Sequence, residues 1–162
     1  MKFIQNTSDI LLALGVAGKH RSPIKDFCID SRKAKKNSIF IGLTGSNEDG
    51  SKYCDDAFSN GAVFAIIKAK KGMNANKLKE NTLCVSNPEK ALAQLAQVAL
   101  TNFTGPVIGI TGSNGKTTTK NILSTGINNS FSTFKNFNNE IGLPLCALML
   151  DSKNEAAVFE MG

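Results

Sequence analysis

A glycine-rich stretch from Thr111 to Thr119 carries the residue types of a phosphate-binding loop. It is Thr-Gly-Ser-Asn-Gly-Lys-Thr-Thr-Thr, and it follows the apolar run Val107 to Ile110. Glycines let a backbone turn tightly and aim its N–H groups at an anion, Lys116 can reach the outer phosphates, and the Thr117 hydroxyl can ligate Mg²⁺. The pattern predicts a strand, a phosphate loop and then a helix over 118–128, whose positive N-terminal end adds to the anion site.

This loop departs from the strict phosphate-loop pattern, which has a glycine where this chain has Ile110. Because Gly-Lys-Thr also occurs by chance, a glycine-rich turn before a helix is the alternative interpretation. The strand, glycines, lysine and threonine nevertheless follow one another in the order that the chemistry needs. We therefore predict a nucleoside triphosphate site made by Thr111, Gly112, Ser113, Asn114, Gly115, Lys116, Thr117 and Thr118.

A carboxylate near the C-terminus is a candidate metal ligand for the same site. The apolar residues 156–159 predict a strand that ends in Glu160. Ligands of parallel sheets gather beyond the carboxyl ends of the strands, so Glu160 is expected on the same edge as Lys116 and Thr117. A carboxylate there can hold Mg²⁺ against a triphosphate. A solvated glutamate at a strand end is the alternative, and residue types alone do not choose between the two.

The rest of the chain alternates predicted helices and strands, which indicates an α/β fold. Strands are predicted at 24–29, 38–43, 62–67, 82–85 and 131–134, and helices at 7–14, 55–60, 88–99 and 145–150. The polar segments 44–52, 68–81 and 135–144 are predicted to be irregular. A domain boundary is predicted near the helix that begins at Pro88, with residues 1–85 forming a small α/β domain and residues 86–162 the start of a phosphate-loop domain with a parallel sheet.

Charge and hydropathy argue against nucleic acid and membranes as partners. The net charge is +6, but the chain has no tryptophan and a single tyrosine, and its phenylalanines mostly fall within apolar strand patterns and not among the lysines, as stacking platforms for bases would. The lysine cluster at 68–71 is therefore interpreted as a solvated surface. No apolar run approaches the roughly 20 residues that span a bilayer, and residues 1–6 lack a signal-peptide core. We expect a cytoplasmic protein.

The four cysteines and the single histidine do not predict a metal or redox centre. The cysteines are widely spaced and contain no C-x-x-C pair. Cys28, Cys84 and Cys146 lie in apolar runs and are predicted to be small core residues in a reducing compartment. His20 lies in a polar stretch and is predicted to be solvated rather than catalytic.

Taken together, these motifs resemble the Mur ligase family, in the branch that adds D-alanyl-D-alanine to a UDP-N-acetylmuramoyl-tripeptide. The resemblance rests on residues 111–120, on the stretch Asn-Phe-Asn-Asn-Glu-Ile-Gly-Leu-Pro at 136–144 and on Glu-Met-Gly at 160–162. In the N-terminal part, Asp30-Ser31-Arg32, the strand 38–43, and the pairs at 49–50 and 61–62 resemble the domain that holds the UDP end of the substrate. One departure is Ser51, where a histidine is expected.

The resemblance implies an ATP-dependent ligase that works through an acyl phosphate in peptidoglycan precursor synthesis, and hence in cell-wall biogenesis, cell shape and cell division. ATP and Mg²⁺ are the implied cofactors, UDP-N-acetylmuramoyl-tripeptide and D-Ala-D-Ala the small-molecule substrates, and a monomer the implied state. The implied catalytic residues are Lys116 and Glu160, and the metal ligands Thr117 and Glu160. The implied substrate-binding residues are Ser31, Arg32, Asn138 and Asn139.

The family pattern also assigns a role to each domain. Residues 1–85 resemble the UDP-sugar-binding domain, and residues 86–162 resemble the beginning of the central ATP-binding domain. Because family members continue further, we expect this chain to be an N-terminal piece that completes no turnover alone. Two alternatives stay open: a nucleotide-sugar-binding module without catalysis, and a sibling ligase that adds another amino acid.

Overall fold

The computed structural model describes residues 2–45, 48–134 and 137–162, and these form two compact units. The N-terminal unit comprises residues 4–95, and the C-terminal unit comprises residues 96–162 with the residues before Ile4. The division falls within helix α3 (Pro88–Asn102), whereas the predicted boundary lies just before that helix. No helix among the described residues has the length and apolar character needed to cross a bilayer.

The N-terminal unit is built on a five-stranded, mostly parallel sheet with the order β1-β2-β3-β5-β4. Strands β1, β2, β3 and β5 run parallel to one another, and β4 is antiparallel to β5. The elements are α1 (Thr7–Ala13), β1 (Asp26–Cys28), β2 (Ser38–Gly42), α2 (Cys54–Ser59), β3 (Ala62–Lys68), β4 (Lys77–Lys79) and β5 (Thr82–Val85), with 3-10 turns at Ser31–Lys33 and Gly50–Tyr53.

Strands β2 and β3 form the buried centre of this sheet. Every residue of β2 is buried, and Ile39, Phe40 and Ile41 are at most 1% exposed. Phe64 and Ile66 of β3 are fully buried as well. Continuous apolar runs of this kind are typical of parallel strands that are covered on both faces. The sequence prediction of these strands is confirmed.

A close backbone approach at the end of β2 explains the Asp-Gly pair at 49–50. A Cβ placed on Gly50 would lie 2.6 Å from the carbonyl oxygen of Leu43, and one placed on Gly42 would lie 3.0 Å from Gly50. The Asp49 side chain accepts a hydrogen bond of 3.0 Å from the Ser51 N–H and begins the 3-10 turn. In this structure, the pair therefore shapes a turn that only glycine can fit. Ser46 and Asn47 of the same loop lie outside the described residues.

The prediction that 68–81 is irregular is wrong at its end, where β4 forms. Its two lysines are exposed on either side of Leu78, and Leu78 is paired with Leu83 of β5. Lysines on a short edge strand are common because they discourage pairing with other chains. Three residues with one apolar side chain give too short an alternation to indicate a strand from sequence.

The C-terminal unit contains a three-stranded parallel sheet with the order β6-β8-β7. Its elements are β6 (Val107–Ile110), α4 (Lys116–Gly126), β7 (Phe131–Ser132), α5 (Gly142–Ala147) and β8 (Ala157–Glu160), together with the last part of α3. Strand β8 is central, and all four of its residues are buried. Its residues Ala157 and Phe159 share a core with Ala96, Phe103, Cys146, Ala147 and Leu150.

Three predicted boundaries in this unit differ from the structure. Helix α4 begins at Lys116 instead of residue 118, β7 covers only the first two residues of the predicted strand 131–134, and α5 begins at Gly142 instead of residue 145. The start of α5 also restricts the residue type at that position. A Cβ on Gly142 would collide with the backbone of Phe137, so a glycine is required where the helix starts.

His20 is partly exposed in the N-terminal unit, and both of its ring nitrogens have side-chain partners that the sequence does not predict. One ring nitrogen lies 2.8 Å from the Thr7 hydroxyl and the other 2.9 Å from the Asn81 side-chain oxygen. The ring also lies 5.1 Å from that of Phe64. The partners stand 13 and 61 residues away in the chain, so the residues next to His20 give no sign of them.

Two of the three cysteines predicted to be core residues are buried. Cys28 and Cys146 are buried, while Cys84 is only partly so, as is Cys54. Burial raises the pKa of the Cys28 thiol to about 11, which keeps it protonated and unreactive near neutral pH.

Candidate active site

The glycine-rich loop joins β6 to the N-terminus of α4. Gly112 has φ +147° and Gly115 has φ +77°, both in the region that favours glycine, and Gly115 is the residue that caps the helix. Residues 111–115 are exposed to solvent. Because the first N–H groups of a helix have no partner within it, the start of α4 offers donors to an anion. This is the strand, loop and helix order that the sequence predicts.

Lys116, the first residue of α4, folds back over the loop. Its ammonium group donates a hydrogen bond of 2.5 Å to the carbonyl oxygen of Gly112. The side chain is only partly buried, so the positive charge remains accessible from solvent. The structure therefore places a cation directly at the loop whose N–H groups would bind phosphate.

Thr117 and Glu160 meet at the same edge of the sheet. The Thr117 hydroxyl donates a hydrogen bond of 2.9 Å to Glu160 Oε1. The contact arises because β6 and β8 are parallel neighbours, with Ile110 opposite Glu160. The Met161 N–H donates to the Ile110 carbonyl oxygen at 2.8 Å and continues the pairing beyond the strand. The two residues predicted to ligate a metal are thus brought together.

Two further residues hold Glu160, and neither was predicted from the sequence to belong to the site. The Lys120 ammonium lies 3.1 Å from Glu160 Oε2, with both side chains at most 10% exposed. The Thr133 hydroxyl accepts a hydrogen bond of 3.0 Å from the Glu160 N–H. Lys120 stands one helical turn after Lys116, so its spacing on α4 is a signal that places it on the same helix face. Thr133 offers no comparable signal.

The surroundings of Glu160 favour its charged form. The hydrogen bond from Thr117 and then that from Lys120 lower the pKa of the carboxyl, and together they outweigh the effect of burial. Glu160 is therefore an anionic oxygen donor beside a hydroxyl, which is the donor chemistry that Mg²⁺ prefers. Among the described residues, no group of three or more His, Cys, Asp or Glu side chains is arranged so that it could hold a metal ion by itself. The site therefore fits an ion that takes few protein ligands together with phosphate and water, as Mg²⁺ commonly does.

A second candidate site is a cavity of about 420 Å³ in the N-terminal unit, at the end of β1. Arg32 Nε and one terminal nitrogen each donate a 2.9 Å hydrogen bond to the Asp30 carboxylate, and this pairing lowers the pKa of that carboxyl. The Arg32 side chain is nevertheless 87% exposed, so its remaining donors face solvent. The cavity is lined by Ile29, Asp30, Ser31, Arg32, Glu48, Tyr53 and Asp56.

The two predicted substrate residues of this cavity are placed differently. Ser31 is buried, and its carbonyl oxygen accepts a hydrogen bond of 3.2 Å from the Asn60 side chain. Arg32 projects outwards beside Tyr53, whose hydroxyl donates a 3.0 Å hydrogen bond to Glu48. That hydrogen bond raises the pKa of Tyr53. Ser31 thus belongs to the wall of the cavity, and Arg32 supplies its exposed cation.

The asparagines predicted to bind substrate lie between β7 and α5. The Asn139 side-chain oxygen accepts hydrogen bonds from the N–H groups of Ile141 at 3.2 Å and Gly142 at 2.8 Å, so it caps the start of α5. The Asn138 carbonyl oxygen accepts a 2.7 Å hydrogen bond from the Gly162 N–H. This places the segment beside the end of β8. Asn136, the first residue of the motif, lies outside the described residues.

A parallel sheet, a glycine-rich loop and a helix that begins with lysine and threonine define a nucleotide-binding α/β protein of the phosphate-loop kind. Two family descriptions match the chain: the Mur ligase family catalytic domain over residues 23–99, and the Mur ligase middle domain over residues 110–162. The chain belongs to the Mur ligase family. The predicted fold class and the family resemblance are both confirmed.

Known relatives and solved structures agree with this assignment. The UDP-N-acetylmuramoyl-tripeptide–D-alanyl-D-alanine ligase of Bacillus subtilis is 38% identical over 136 residues, which are 82% of this chain and 29% of that protein. The structure of MurF from Acinetobacter baumannii superposes with a TM-score of 0.84 at 28% identity, covering 98% of this chain and 36% of the other. MurF from Thermotoga maritima in complex with ADP has a TM-score of 0.70 at 35% identity, covering 84% and 31%. The chain spans about a third of the length of these proteins.

Proposed function

We propose that this chain provides the UDP-substrate site and the phosphate end of the ATP site of a ligase that joins D-alanyl-D-alanine to UDP-N-acetylmuramoyl-tripeptide. Members of the Mur ligase family are ATP-dependent ligases. The observation that carries the proposal is the meeting of Lys116, Thr117 and Glu160 at one edge of the sheet. The relatives named as ligases of this specificity support the choice of substrates.

The reaction requires two anions to approach each other. The γ-phosphoryl group of ATP is transferred to the free carboxylate of the UDP-linked peptide, which gives ADP and an acyl phosphate. The amine of D-Ala-D-Ala then attacks the acyl carbon, phosphate leaves, and an amide bond forms. Stabilising the charge on a transferring phosphoryl group is commonly the largest catalytic contribution in such steps.

The residues of the C-terminal unit suit that task. Lys116 would leave the Gly112 carbonyl for a phosphate oxygen, and the N–H groups at the start of α4 would bind the same group. Thr117 and Glu160 would hold Mg²⁺, which supplies positive charge against the triphosphate. Glu160 is suited to this role because its carboxyl is kept ionised by its neighbours.

In the N-terminal unit, Arg32 is the proposed contact for the diphosphate of the UDP substrate. Its guanidinium is exposed at a cavity and oriented by Asp30, and planar guanidinium groups suit phosphate oxygens. Ser31, Asn138 and Asn139 are proposed to act in substrate binding as well. Asn139 would do so indirectly, by capping helix α5. The proposed setting is the cytoplasm, and the proposed state is a monomer that binds small molecules and neither nucleic acid nor membrane.

Separate titrations of the two ligands test the proposal. The chain is titrated by calorimetry with Mg·ATP and, in a second experiment, with UDP-N-acetylmuramoyl-tripeptide. Lys116→Ala is expected to weaken Mg·ATP binding by roughly tenfold to hundredfold, the effect of losing one charge-assisted hydrogen bond. Binding of the UDP ligand is expected to remain. Lys153→Ala, at an exposed lysine of the same unit, is the matched control.

The same titrations address the binding-module alternative, in which the loop has no nucleotide function. Under that alternative, the unaltered chain should bind the UDP ligand and should not bind ATP. Equal Mg·ATP affinity for the unaltered chain and Lys116→Ala would contradict the proposed role of the loop. Failure to bind the UDP ligand would contradict the proposed role of the N-terminal unit.

A further inference from the structure

The two oxygens of the Glu160 carboxylate have different partners. Oε1 accepts a hydrogen bond from the Thr117 hydroxyl at 2.9 Å, on the side of the phosphate loop. Oε2 lies 3.1 Å from the Lys120 ammonium. The backbone N–H of Glu160 is fixed separately by the Thr133 hydroxyl at 3.0 Å. The carboxylate is thus held at two points and the backbone of Glu160 at a third, with one carboxylate oxygen on the loop side.

Lys120 is an unusual lysine because its charged group is inside the protein. Its side chain is 8% exposed, whereas lysine is rarely buried unless it is paired. Lys116, one helical turn earlier, contacts the loop carbonyl of Gly112 and is more exposed. The two lysines of α4 therefore have separate positions, one at the loop and one behind the carboxylate.

We propose that Lys120 is a positioning residue that leaves only Oε1 of Glu160 for a cation and so favours Mg²⁺ over Ca²⁺ at the site. The inference rests on the proposed function, because it assumes that Thr117 and Glu160 hold the metal of a bound nucleotide. Ca²⁺ takes six to eight oxygen ligands and readily accepts both oxygens of one carboxylate. Mg²⁺ requires a compact octahedron and is usually bound by single carboxylate oxygens, phosphate and water.

The arrangement of charges supports this role. The ammonium of Lys120 neutralises the side of the carboxylate that faces the protein interior, so Oε2 has a partner before any metal arrives. A cation approaching from the loop meets Oε1 and the Thr117 hydroxyl. Partners that orient a ligating carboxylate commonly affect metal affinity about 10–100-fold when they are removed.

A purely structural role for Lys120 is the competing explanation, and the choice of variants separates the two. Lys120→Met keeps most of the length of the side chain and removes its charge, which frees Oε2. Lys120→Gln keeps a donor for Oε2 without the charge and is the milder replacement. Lys153→Met makes the same chemical change at an exposed position of the same unit and is the matched control.

The test measures ATP binding to the 162-residue chain in titrations with either Mg²⁺ or Ca²⁺. Binding is monitored by ³¹P NMR of the nucleotide. The readout is the ratio of the half-saturating concentrations of the two ions, which a general loss of stability does not change. Lys120→Met is expected to raise the half-saturating Mg²⁺ concentration about 10–100-fold, with a much smaller change for Ca²⁺. Lys120→Gln is expected to shift the ratio in the same direction by less, and Lys153→Met to leave it unchanged.

Three other results would contradict the inference. An unchanged Mg²⁺/Ca²⁺ ratio in Lys120→Met, with a lower melting temperature, would show that Lys120 only stabilises the fold. If Lys120→Met does not fold, an unchanged ratio in Lys120→Gln leads to the same conclusion. If the unaltered chain binds ATP without any dependence on a divalent ion, the proposed metal site is wrong and the inference falls with it.

Discussion

Thr117 and Glu160 are 43 residues apart in sequence, and the Thr117 hydroxyl donates a 2.9 Å hydrogen bond to the Glu160 carboxylate. The first residue lies in the opening turn of α4 and the second ends β8, so the contact joins the phosphate loop to the central strand of its sheet. Lys120 adds a buried ion pair to the same carboxylate. Several measurable properties of the C-terminal unit depend on this arrangement.

Glu160→Gln is expected to destabilise the C-terminal unit by about 3–5 kcal/mol, because it leaves the Lys120 ammonium buried without a counter-charge. Unfolding in urea measures the change. Glu140→Gln, at an exposed glutamate, is the matched control and is expected to change stability by less than about 0.5 kcal/mol. The double variant Lys120→Met/Glu160→Gln is expected to be less destabilised than the sum of the single variants. Strict additivity would show that the two side chains do not interact.

The stability that Glu160 contributes is expected to depend on pH below about 4.5. Thr117 and Lys120 lower its pKa in the folded state from the usual value of 4.5. A lowered pKa means that the contribution is complete above the unfolded pKa and is lost as the pH falls through the folded one. The difference in unfolding free energy between the unaltered chain and Glu160→Gln should therefore stay constant from pH 7 to about 5 and shrink below 4.5. A difference that already shrinks near pH 6 would contradict this.

Asn139→Ala is expected to lower stability by about 0.5–2 kcal/mol, because the side-chain oxygen caps α5. Asn139→Asp keeps an acceptor at the cap and is expected to retain most of the stability. Asn128→Ala, at an exposed asparagine, is the matched control for thermal unfolding. A titration with the UDP-linked peptide then separates the two roles: weaker binding by Asn139→Asp at unchanged stability would indicate a direct substrate contact.

Arg32→Ala is expected to weaken binding of the UDP ligand about tenfold or more, the usual effect of losing a charge-assisted contact to phosphate. Because Arg32 is exposed and its ion pair with Asp30 is solvated, little change is expected in the melting temperature. Arg32→Lys should restore little affinity, since a lysine lacks the planar pair of donors. The neighbouring exposed Lys33 provides the control variant Lys33→Ala. Equal weakening by both alanine variants would indicate a general charge effect.

Much of the site followed from sequence because its parts obey rules of local order. The strand, loop and helix around Lys116 lie within some twenty residues. A carboxylate at the C-terminal end of a buried parallel strand is expected at the edge of the sheet where ligands bind. The ion pair between Lys120 and Glu160 could not be predicted from the sequence, because it depends on how α4 packs on β8. The cap by Asn139 was missed for a related reason: an asparagine-rich stretch looks like a loop until Gly142 is seen to begin a helix.

Strand β8 also sets the direction in which the carboxylate points. Ile110 stands opposite Glu160, and the three residues before Glu160 are paired in the same register and buried. Side chains of a strand alternate between the two faces of a sheet, so a shift of one residue would turn Glu160 away from Thr117. The number of residues in this strand therefore determines whether the site can form. A single insertion among its apolar residues would turn the proposed metal ligand away from the loop, although every side chain of the site would still be present in the chain.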